Sequence, residues 1–187
     1  MSSNTEIPNT ASRDATPSTA ASHSDSQTRQ QGAHPLFSTV IFDADSTLAA
    51  IEGIDWLGAL RGAEVGLAVQ QLTDRAMTGE VALEDVYGAR LDVIKPTLDE
   101  VQRLSNAYID AIEPGATDVI SELHGAGVRV VIVSGGLQTA LLPLAKMLGV
   151  DANAVFAVEL IHDAHGNYVS LAPDQLLSRQ DGKPRLV

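Results

Sequence analysis

The sequence predicts an α/β protein: a Rossmann-like core with a parallel sheet, and a helical cap inserted behind the first strand. Two β-branched, apolar stretches, residues 37–43 and 128–136, have the near-continuous hydrophobicity of strands buried on both faces of a parallel sheet. Apolar residues recur at helical intervals between these strands and after the second one. Alternating strands and helices joined by right-handed crossovers give this fold class.

Composition and spacing set the boundaries of these parts. Residues 1–34 are dominated by Ser, Thr, Asn, Gln and Ala, and their apolar surface is too small to offset the entropy of ordering, so they predict a disordered tail. This segment resembles neither a secretory signal nor a transit peptide, so we expect a cytoplasmic protein. A helical stretch of about sixty residues after the first strand is too long for a loop. We therefore expect a cap at residues 49–112 and a core formed by residues 35–48 and 113–187.

The helices of the cap follow from apolar spacing and from one proline. Helical intervals cover residues 56–77 and 82–94. Pro96 and Thr97, with acidic residues behind them, mark a break and the start of a further helix at residues 98–112.

The remaining elements belong to the predicted core. One helix begins after Pro114 and precedes the second strand. The helix of residues 137–150 is expected to kink or to start late because it contains Pro143. Residues 154–171 predict a strand followed by a hairpin that turns at residues 165–167.

The composition limits the possible functions. Of the 187 residues, 44% are hydrophobic and 19% are charged, which is typical of a globular protein with a real core. A formal net charge of −12 disfavours binding to nucleic acid or to an anionic membrane surface. The lack of cysteine excludes disulfides, cysteine-ligated zinc and thiol catalysis. An anionic substrate would need a metal ion or a few well-placed Lys and Arg side chains.

Two acidic residues follow the first strand directly, in the segment "DADST". Asp43 ends that strand and Asp45 comes two residues later, whereas Ser134, Gly135 and Gly136 end the second strand. Open α/β sheets bind ligands beyond the carboxyl ends of their strands, and the two strand ends would lie side by side there if the strands are neighbours in the sheet. Carboxylates opposite a hydroxyl and a loop of backbone donors can hold a phosphoryl group and Mg²⁺.

Two other interpretations of these segments compete with a phosphate site. A calcium-binding EF-hand loop counted from Asp43 would need Gly and Glu at positions that hold Leu48 and Ile54, so it is rejected. Asp, Ser, Thr and Gly are also common where a strand simply ends in a turn. The turn is the better interpretation of the Ser-Gly-Gly segment alone, whereas the paired acids favour a functional site.

The motif "FDADSTLAAIEGIDWL" resembles the first motif of haloacid-dehalogenase-type phosphatases, in their phosphoserine phosphatase branch. The similarity continues through "DRAMTGEVALEDVYGARLDVIKPT", "IEPGATDVISELHGAGVRVVIVSGG" and "GVDANAVFAVEL", and on to Lys183. It covers about residue 37 to the C-terminus. It implies a Mg²⁺-dependent phosphatase of serine biosynthesis that converts O-phospho-L-serine to L-serine and phosphate.

The resemblance implies a role for each residue that matches a core motif. Asp43 would be the nucleophile that forms an aspartyl-phosphate, and its carboxylate would also bind Mg²⁺. Asp45 would be the general acid and base, and its backbone carbonyl a second metal ligand. Ser134 and the Gly135 amide would hold phosphate oxygens. Lys183 would balance the charge of the nucleophile and of the transferred group.

Three cap residues also match family positions that bind the substrate. Glu52 would meet the substrate's ammonium group, Arg90 would bind its carboxylate, and Met77 would pack over the ligand. Without the resemblance, Glu52 and Arg90 would be solvated helix charges, Met77 core packing and Lys183 a surface lysine.

The sequence departs from the family pattern after Lys183. The family has a fourth motif, of the form GDG-x-x-D, whose first Asp is a metal ligand, and the printed chain ends at Val187. We therefore expect a truncated chain with a weakened metal site, an open sheet edge and little or no turnover. The alternatives are the same chemistry on another small phosphate, phosphoryl transfer to an alcohol, and a non-catalytic binding or regulatory fragment.

Overall fold

The computed structural model describes residues 36–186. The tail predicted at residues 1–34 lies outside this range. The described residues form a parallel three-stranded sheet, seven α-helices, two short 3₁₀ helices and an antiparallel hairpin. The predicted α/β fold class is confirmed.

The parallel sheet has the strand order β1-β2-β3. Its strands are β1 (Thr39–Phe42), β2 (Arg129–Leu137) and β3 (Val155–Val158). Ile41 of β1 pairs with Val131 of β2, so the carboxyl ends of both strands lie at the same edge of the sheet. This register brings the residues that follow β1 next to the Ser-Gly-Gly segment of β2.

The burial of β1 differs from the sequence prediction. The central strand β2 is almost fully buried, as expected. In β1, exposed and half-buried residues alternate, and Ile41 is 42% exposed. Within residues 36–186, β1 pairs with β2 alone and is an edge strand, so burial on both faces was wrong for this strand.

Four helices lie between β1 and the next core helix. They are α1 (Gly53–Ala59), α2 (Ala63–Met77), α3 (Leu83–Ile94) and α4 (Leu98–Asp110). The predicted break at Pro96 is confirmed: α3 ends at a left-handed Lys95, and Thr97 caps α4 together with the Glu100 side chain. The helix α4 packs on the helix that follows β2 as well as on α1. The division into cap and core stays a prediction.

The helices around the sheet are α5 (Ala116–Gly125), α6 (Gln138–Met147) and the short α7 (Gly182–Leu186). Helix α6 begins at Gln138 and runs through Pro143, so a start delayed to the proline was wrong. An internal proline costs a helix about 3 kcal/mol, which burial offsets here because the α6 side chains Ala140, Leu141 and Leu144 are fully buried.

The chain after β3 forms the predicted hairpin. Its strands are β4 (Leu160–His162) and β5 (Tyr168–Leu171). In the turn, Asp163 accepts hydrogen bonds from the backbone N–H groups of His165 and Asn167, and Gly166 adopts a φ of 80°. Among residues 36–186, none of the helices combines the length and the apolar character needed to cross a bilayer.

Candidate active site

A cleft of about 280 Å³ lies beyond the carboxyl ends of β1 and β2. This is the position at which open α/β sheets bind their ligands. Its size suits a small metabolite. Six of the eight site residues predicted from the sequence line it; the full lining is Asp43, Asp45, Glu52, Ile54, Tyr87, Arg90, Gly135, Leu177, Ser178, Arg179, Gln180 and Lys183.

Asp43 and Lys183 meet in this cleft although 140 positions separate them in the chain. The Lys183 ammonium donates a hydrogen bond to Asp43 Oδ2, and the backbone N–H of Ala44 donates to Asp43 Oδ1 at 2.8 Å. Gly182 allows α7 to bring the lysine this close, since a Cβ there would lie 2.0 Å from the Leu176 carbonyl oxygen. The amine therefore balances the charge of a carboxylate that faces the cleft.

Asp45 is held by two hydrogen bonds on one carboxylate oxygen. Tyr108 Oη donates to Asp45 Oδ1 at 2.6 Å, and the Gly53 N–H donates to the same atom at 2.9 Å. Burial raises the pKa of Asp45 above its usual value, the two hydrogen bonds oppose that rise, and the charges of Glu52 and Asp43 add to it. A raised pKa favours the protonated carboxyl that a general acid needs.

Ser134 lies beside the cleft but is fully buried and does not line it. Its hydroxyl accepts a hydrogen bond from the Gly136 N–H at 3.0 Å, which leaves the hydroxyl proton able to donate. Gly135 lines the cleft directly. A Cβ on Gly136 would lie 3.1 Å from Asp45 Oδ2, so the chain passes close to the acid at this point.

Arg90 is the most deeply buried charged side chain that lines the cleft, with 9% of its surface exposed. Its Nη2 group is hydrogen-bonded to Asp55 Oδ1 in an ion pair. Its Nε atom is buried and has no partner among the described residues. A buried N–H without an acceptor is costly, so this side chain is suited to bind an anionic ligand group.

Glu52 lines the same cleft. Its Oε1 atom accepts a hydrogen bond from the Ser46 hydroxyl at 2.6 Å. Met77, by contrast, lies at the C-terminal end of α2, is 81% exposed and does not line the cleft. The reason is that α2 packs on α1 and α3 and buries only Val69, which leaves its last turn outside. The predicted packing of Met77 over a ligand is therefore not found in this structure.

Sequence reasoning missed several polar side chains at the site, among them Ser178, Arg179 and Gln180 just before Lys183. Tyr87 precedes Arg90 by three positions in a helix, and this spacing could have placed it on the same face. Asp55 lies three positions after Glu52 and could have been found in the same way. Tyr108 is 63 positions from Asp45, and no local pattern points to their contact.

The oxygen atoms at the end of β1 suit a magnesium ion. The Asp43 carboxylate faces the cleft, and no hydrogen bond from residues 36–186 reaches the Asp45 carbonyl oxygen. Mg²⁺ prefers oxygen ligands and keeps several waters where a protein supplies one or two carboxylates. The described part of the chain has no cluster of three or more His, Asp or Glu side chains suited to a metal. Mg²⁺ bound at this edge of the sheet would be held by the Asp43 carboxylate and the Asp45 carbonyl oxygen.

Known proteins share this arrangement of elements. A chloroplastic phosphoserine phosphatase of Arabidopsis thaliana is 34% identical over 148 residues, which cover 79% of this chain and 50% of the relative. A phosphoserine phosphohydrolase-like protein from Francisella tularensis superposes with a TM-score of 0.69 at 26% identity, over 81% of this chain and 74% of that one. A phospho-aspartyl intermediate analogue of phosphoserine phosphatase superposes with a TM-score of 0.65 at 28% identity, over 80% of this chain and 68% of that one.

The curated phosphoserine phosphatases are longer than the matched region. The chain spans 50% to 65% of their lengths. The family model for haloacid dehalogenase-like hydrolases matches residues 40–187, which include both strand ends, the cleft and Lys183. The chain belongs to the haloacid dehalogenase-like hydrolase family.

Proposed function

We propose that the chain carries the active site of a phosphoserine phosphatase, which hydrolyses O-phospho-L-serine to L-serine and phosphate. The observation that carries this proposal is the contact of Lys183 with Asp43 beside the half-buried Asp45, in one cleft. Asp43 supplies a nucleophile, and the Lys183 amine balances its charge. Asp45, whose pKa is raised, supplies an acid. The similarity to phosphoserine phosphatases supports the choice of substrate.

In the first step, a carboxylate oxygen of Asp43 attacks phosphorus and the bond from phosphorus to the serine oxygen breaks. Asp45 gives its proton to the departing oxygen, so that serine leaves as an alcohol. Lys183 balances the negative charge that the phosphoryl group brings next to Asp43. The products of this step are L-serine and an aspartyl-phosphate.

In the second step, water attacks the phosphorus of the aspartyl-phosphate. The Asp45 carboxylate accepts a proton from that water, and the bond between phosphorus and Asp43 breaks. Phosphate leaves, Asp43 is again a carboxylate and Asp45 is again protonated. The hydroxyl of Ser134 and the backbone N–H of Gly135 are the groups proposed to hold phosphate oxygens through both steps.

The amino-acid end of the substrate meets the other side of the cleft. Arg90 binds the substrate carboxylate, and its buried, unpartnered Nε supports this assignment. Glu52 binds the ammonium group. Asp43 and the Asp45 carbonyl would hold Mg²⁺, which when bound supplies Lewis-acid stabilisation of phosphoryl oxygens. A role in serine biosynthesis, a cytoplasmic location and the low turnover of the 187-residue chain stay predictions.

Phosphate release from O-phospho-L-serine in the presence of MgCl₂ tests the proposal. We expect Asp43→Asn to abolish release and to prevent the acid-stable phosphoryl adduct that the wild-type chain forms on mixing, because an amide is not a nucleophile here. Asp74→Asn, which changes an acid of α2 away from the cleft, is the matched control and should leave both signals unchanged. Because low turnover is expected of this chain, the adduct decides: a wild-type chain that forms no adduct, or an Asp43→Asn chain that still forms it, would reject the assignment.

A further inference from the structure

We propose that Tyr87 is a positioning residue that fixes the distance between Arg90 and the carboxyl end of β2, and thereby selects the length of the ligand. This inference rests on the proposed function, because it takes Arg90 as the carboxylate site and the Ser134-Gly135 segment of β2 as the phosphate site. The phenol does not need to touch the reacting atoms. It acts by holding the helix that carries Arg90.

The hydroxyl of Tyr87 connects two parts of the structure directly. Tyr87 Oη donates a hydrogen bond of 2.6 Å to the carbonyl oxygen of Gly135, across 48 positions of the chain. Tyr87 belongs to α3 and Gly135 to the carboxyl end of β2. The side chain is only 7% exposed and lines the cleft. The bond therefore attaches α3 to the end of β2 that is proposed to hold phosphate.

Arg90 is attached to the same helix face. It follows Tyr87 by three positions, so both side chains point from one side of α3 toward the cleft. Its ion pair with Asp55 joins α3 to α1. Helix α3 also packs on α2 and on the 3₁₀ helix Leu176–Ser178. Within this packing, the hydrogen bond of the Tyr87 hydroxyl fixes the distance between Arg90 and Gly135.

The hydrogen bond from Tyr87 to Gly135 is suited to hold this distance at all ordinary pH values. Burial and the nearby charge of Asp45 raise the pKa of Tyr87, so the phenol stays a neutral donor. The charge of Arg90, which lines the same cleft, opposes this rise without cancelling it. Loss of the hydroxyl would leave the Gly135 carbonyl without this donor. The position of α3 relative to Gly135 would then be set only by the packing of α3 on its neighbouring helices, and it could change. A ligand with a different spacing between phosphorus and carboxylate would then be tolerated better.

Three phosphonates that cannot be hydrolysed test this without turnover. L-2-Amino-4-phosphonobutanoate has the spacing of phosphoserine, L-2-amino-5-phosphonopentanoate is one methylene longer, and 3-aminopropylphosphonate lacks the carboxylate. Their affinities are measured by titration calorimetry with MgCl₂ present. For the wild-type chain we expect the first to bind about tenfold more tightly than either of the others, since a hydrogen-bonded charged group contributes this much or more.

In Tyr87→Phe, we expect the preference for the four-carbon over the five-carbon phosphonate to fall to about threefold or less, as the loss of one hydrogen bond allows. The affinity for 3-aminopropylphosphonate should stay within about twofold, because that ligand does not reach Arg90. Thr73→Val is the matched control. It removes a hydroxyl that donates to a backbone carbonyl at 3.1 Å within α2, outside the cleft, and should keep the full preference. Tyr87→Met fills the site without a hydroxyl and serves as a second variant should the first not fold.

The outcomes separate the two proposals. A wild-type chain that binds the four-carbon phosphonate no better than 3-aminopropylphosphonate contradicts the proposed function and this inference with it. A wild-type chain that discriminates, together with a Tyr87→Phe chain that discriminates equally or loses all three ligands in proportion, overturns the role of Tyr87 and leaves the proposed function intact.

Discussion

At the scale of single residues, the acid Asp45 depends on a glycine that leaves space for a tyrosine. Gly53 begins α1, and its N–H donates to Asp45 Oδ1. A Cβ at this position would lie 2.2 Å from Tyr108 Oη, far inside van der Waals contact. Tyr108 is fully buried and has no room to withdraw. The surroundings of Asp45 therefore require glycine at position 53 because only a residue without a side chain leaves room for Tyr108, while its backbone N–H still binds Asp45.

We expect Gly53→Ala to lower the free energy of unfolding by about 1–3 kcal/mol, as overpacking of a filled core does. Gly88→Ala, in α3, is the matched control because no atom lies within 4 Å of a Cβ built there. Alanine should stabilise that position by up to about 1 kcal/mol. Urea unfolding of both variants measures the two effects. Equal stabilities of the two variants would contradict the close contact with Tyr108.

The residues that carry a motif could be predicted, and those that support them could not. Asp43, Asp45 and Lys183 each belong to a segment that resembles a family motif, and the structure brings them to one cleft. Tyr108 reaches Asp45 through the packing of α4 on α6 and α1, which are tertiary contacts without a local sequence pattern. Met77 shows the converse, since its motif position did not bring it into the cleft.

At the scale of secondary-structure elements, one ion pair joins the ends of three helices. The Arg61 side chain, just after α1, binds both carboxylate oxygens of Glu100 in the first turn of α4. Arg61 also donates to the carbonyl oxygens of Ile94 at 2.8 Å and Lys95 at 3.1 Å, where α3 ends. Glu100 accepts from the Thr97 N–H at 2.8 Å as part of the capping box. The pair therefore satisfies backbone groups as well as the two charges.

This pair predicts a loss of stability in acid. The hydrogen bond from Arg61 lowers the pKa of Glu100 to about 2, from an ordinary value of 4.5. A lowered pKa means that the contribution to stability is fully present above pH 4.5 and is lost as the pH falls toward 2. The Glu100 side chain is 15% exposed, so we expect a contribution of about 2 kcal/mol.

Urea unfolding at pH 6 and pH 3 measures this contribution. Glu100→Gln should be less stable than the wild-type chain at pH 6, and the difference should shrink by most of its value at pH 3. Glu80→Gln is the control, because the ion pair of Glu80 with Arg75 is more than half exposed on both sides and should contribute little. A difference for Glu100→Gln that does not change between the two pH values would argue against the linkage.

Element boundaries followed the sequence where a local signal sets them. Pro96, Thr97 and the acids behind them placed the start of α4, because proline and a capping box act within a few residues. The exposure of β1 was not predicted from the sequence. An apolar stretch indicates which faces of a strand can be buried, but it does not indicate which strands or helices are present to cover them. Helix α6 runs through Pro143 because burial of its apolar face outweighs a local cost.

At the scale of the whole molecule, an acidic protein is proposed to bind an anionic ligand. The formal net charge is −12, whereas the cleft is lined by three basic side chains, Arg90, Arg179 and Lys183. The basic side chains attract an anionic ligand that is within a few ångströms of them. The acidic surface repels the same ligand over tens of ångströms. The Debye length falls from about 30 Å at 0.01 M salt to about 8 Å at 0.15 M. Salt should therefore screen the long-range repulsion much more than the attraction inside the cleft.

We expect L-2-amino-4-phosphonobutanoate to bind several-fold more tightly at 150 mM than at 10 mM KCl, because added salt removes a repulsion between like charges. This is the reverse of the salt dependence of a protein that attracts anions by its overall charge. Titration calorimetry at the two salt concentrations measures the effect. L-Serine, a zwitterion without net charge, is the control ligand, and its affinity should change little. Weaker binding of the phosphonate at the higher salt concentration would show that the basic residues of the cleft, and not the acidic surface, dominate the field that an arriving phosphate group meets.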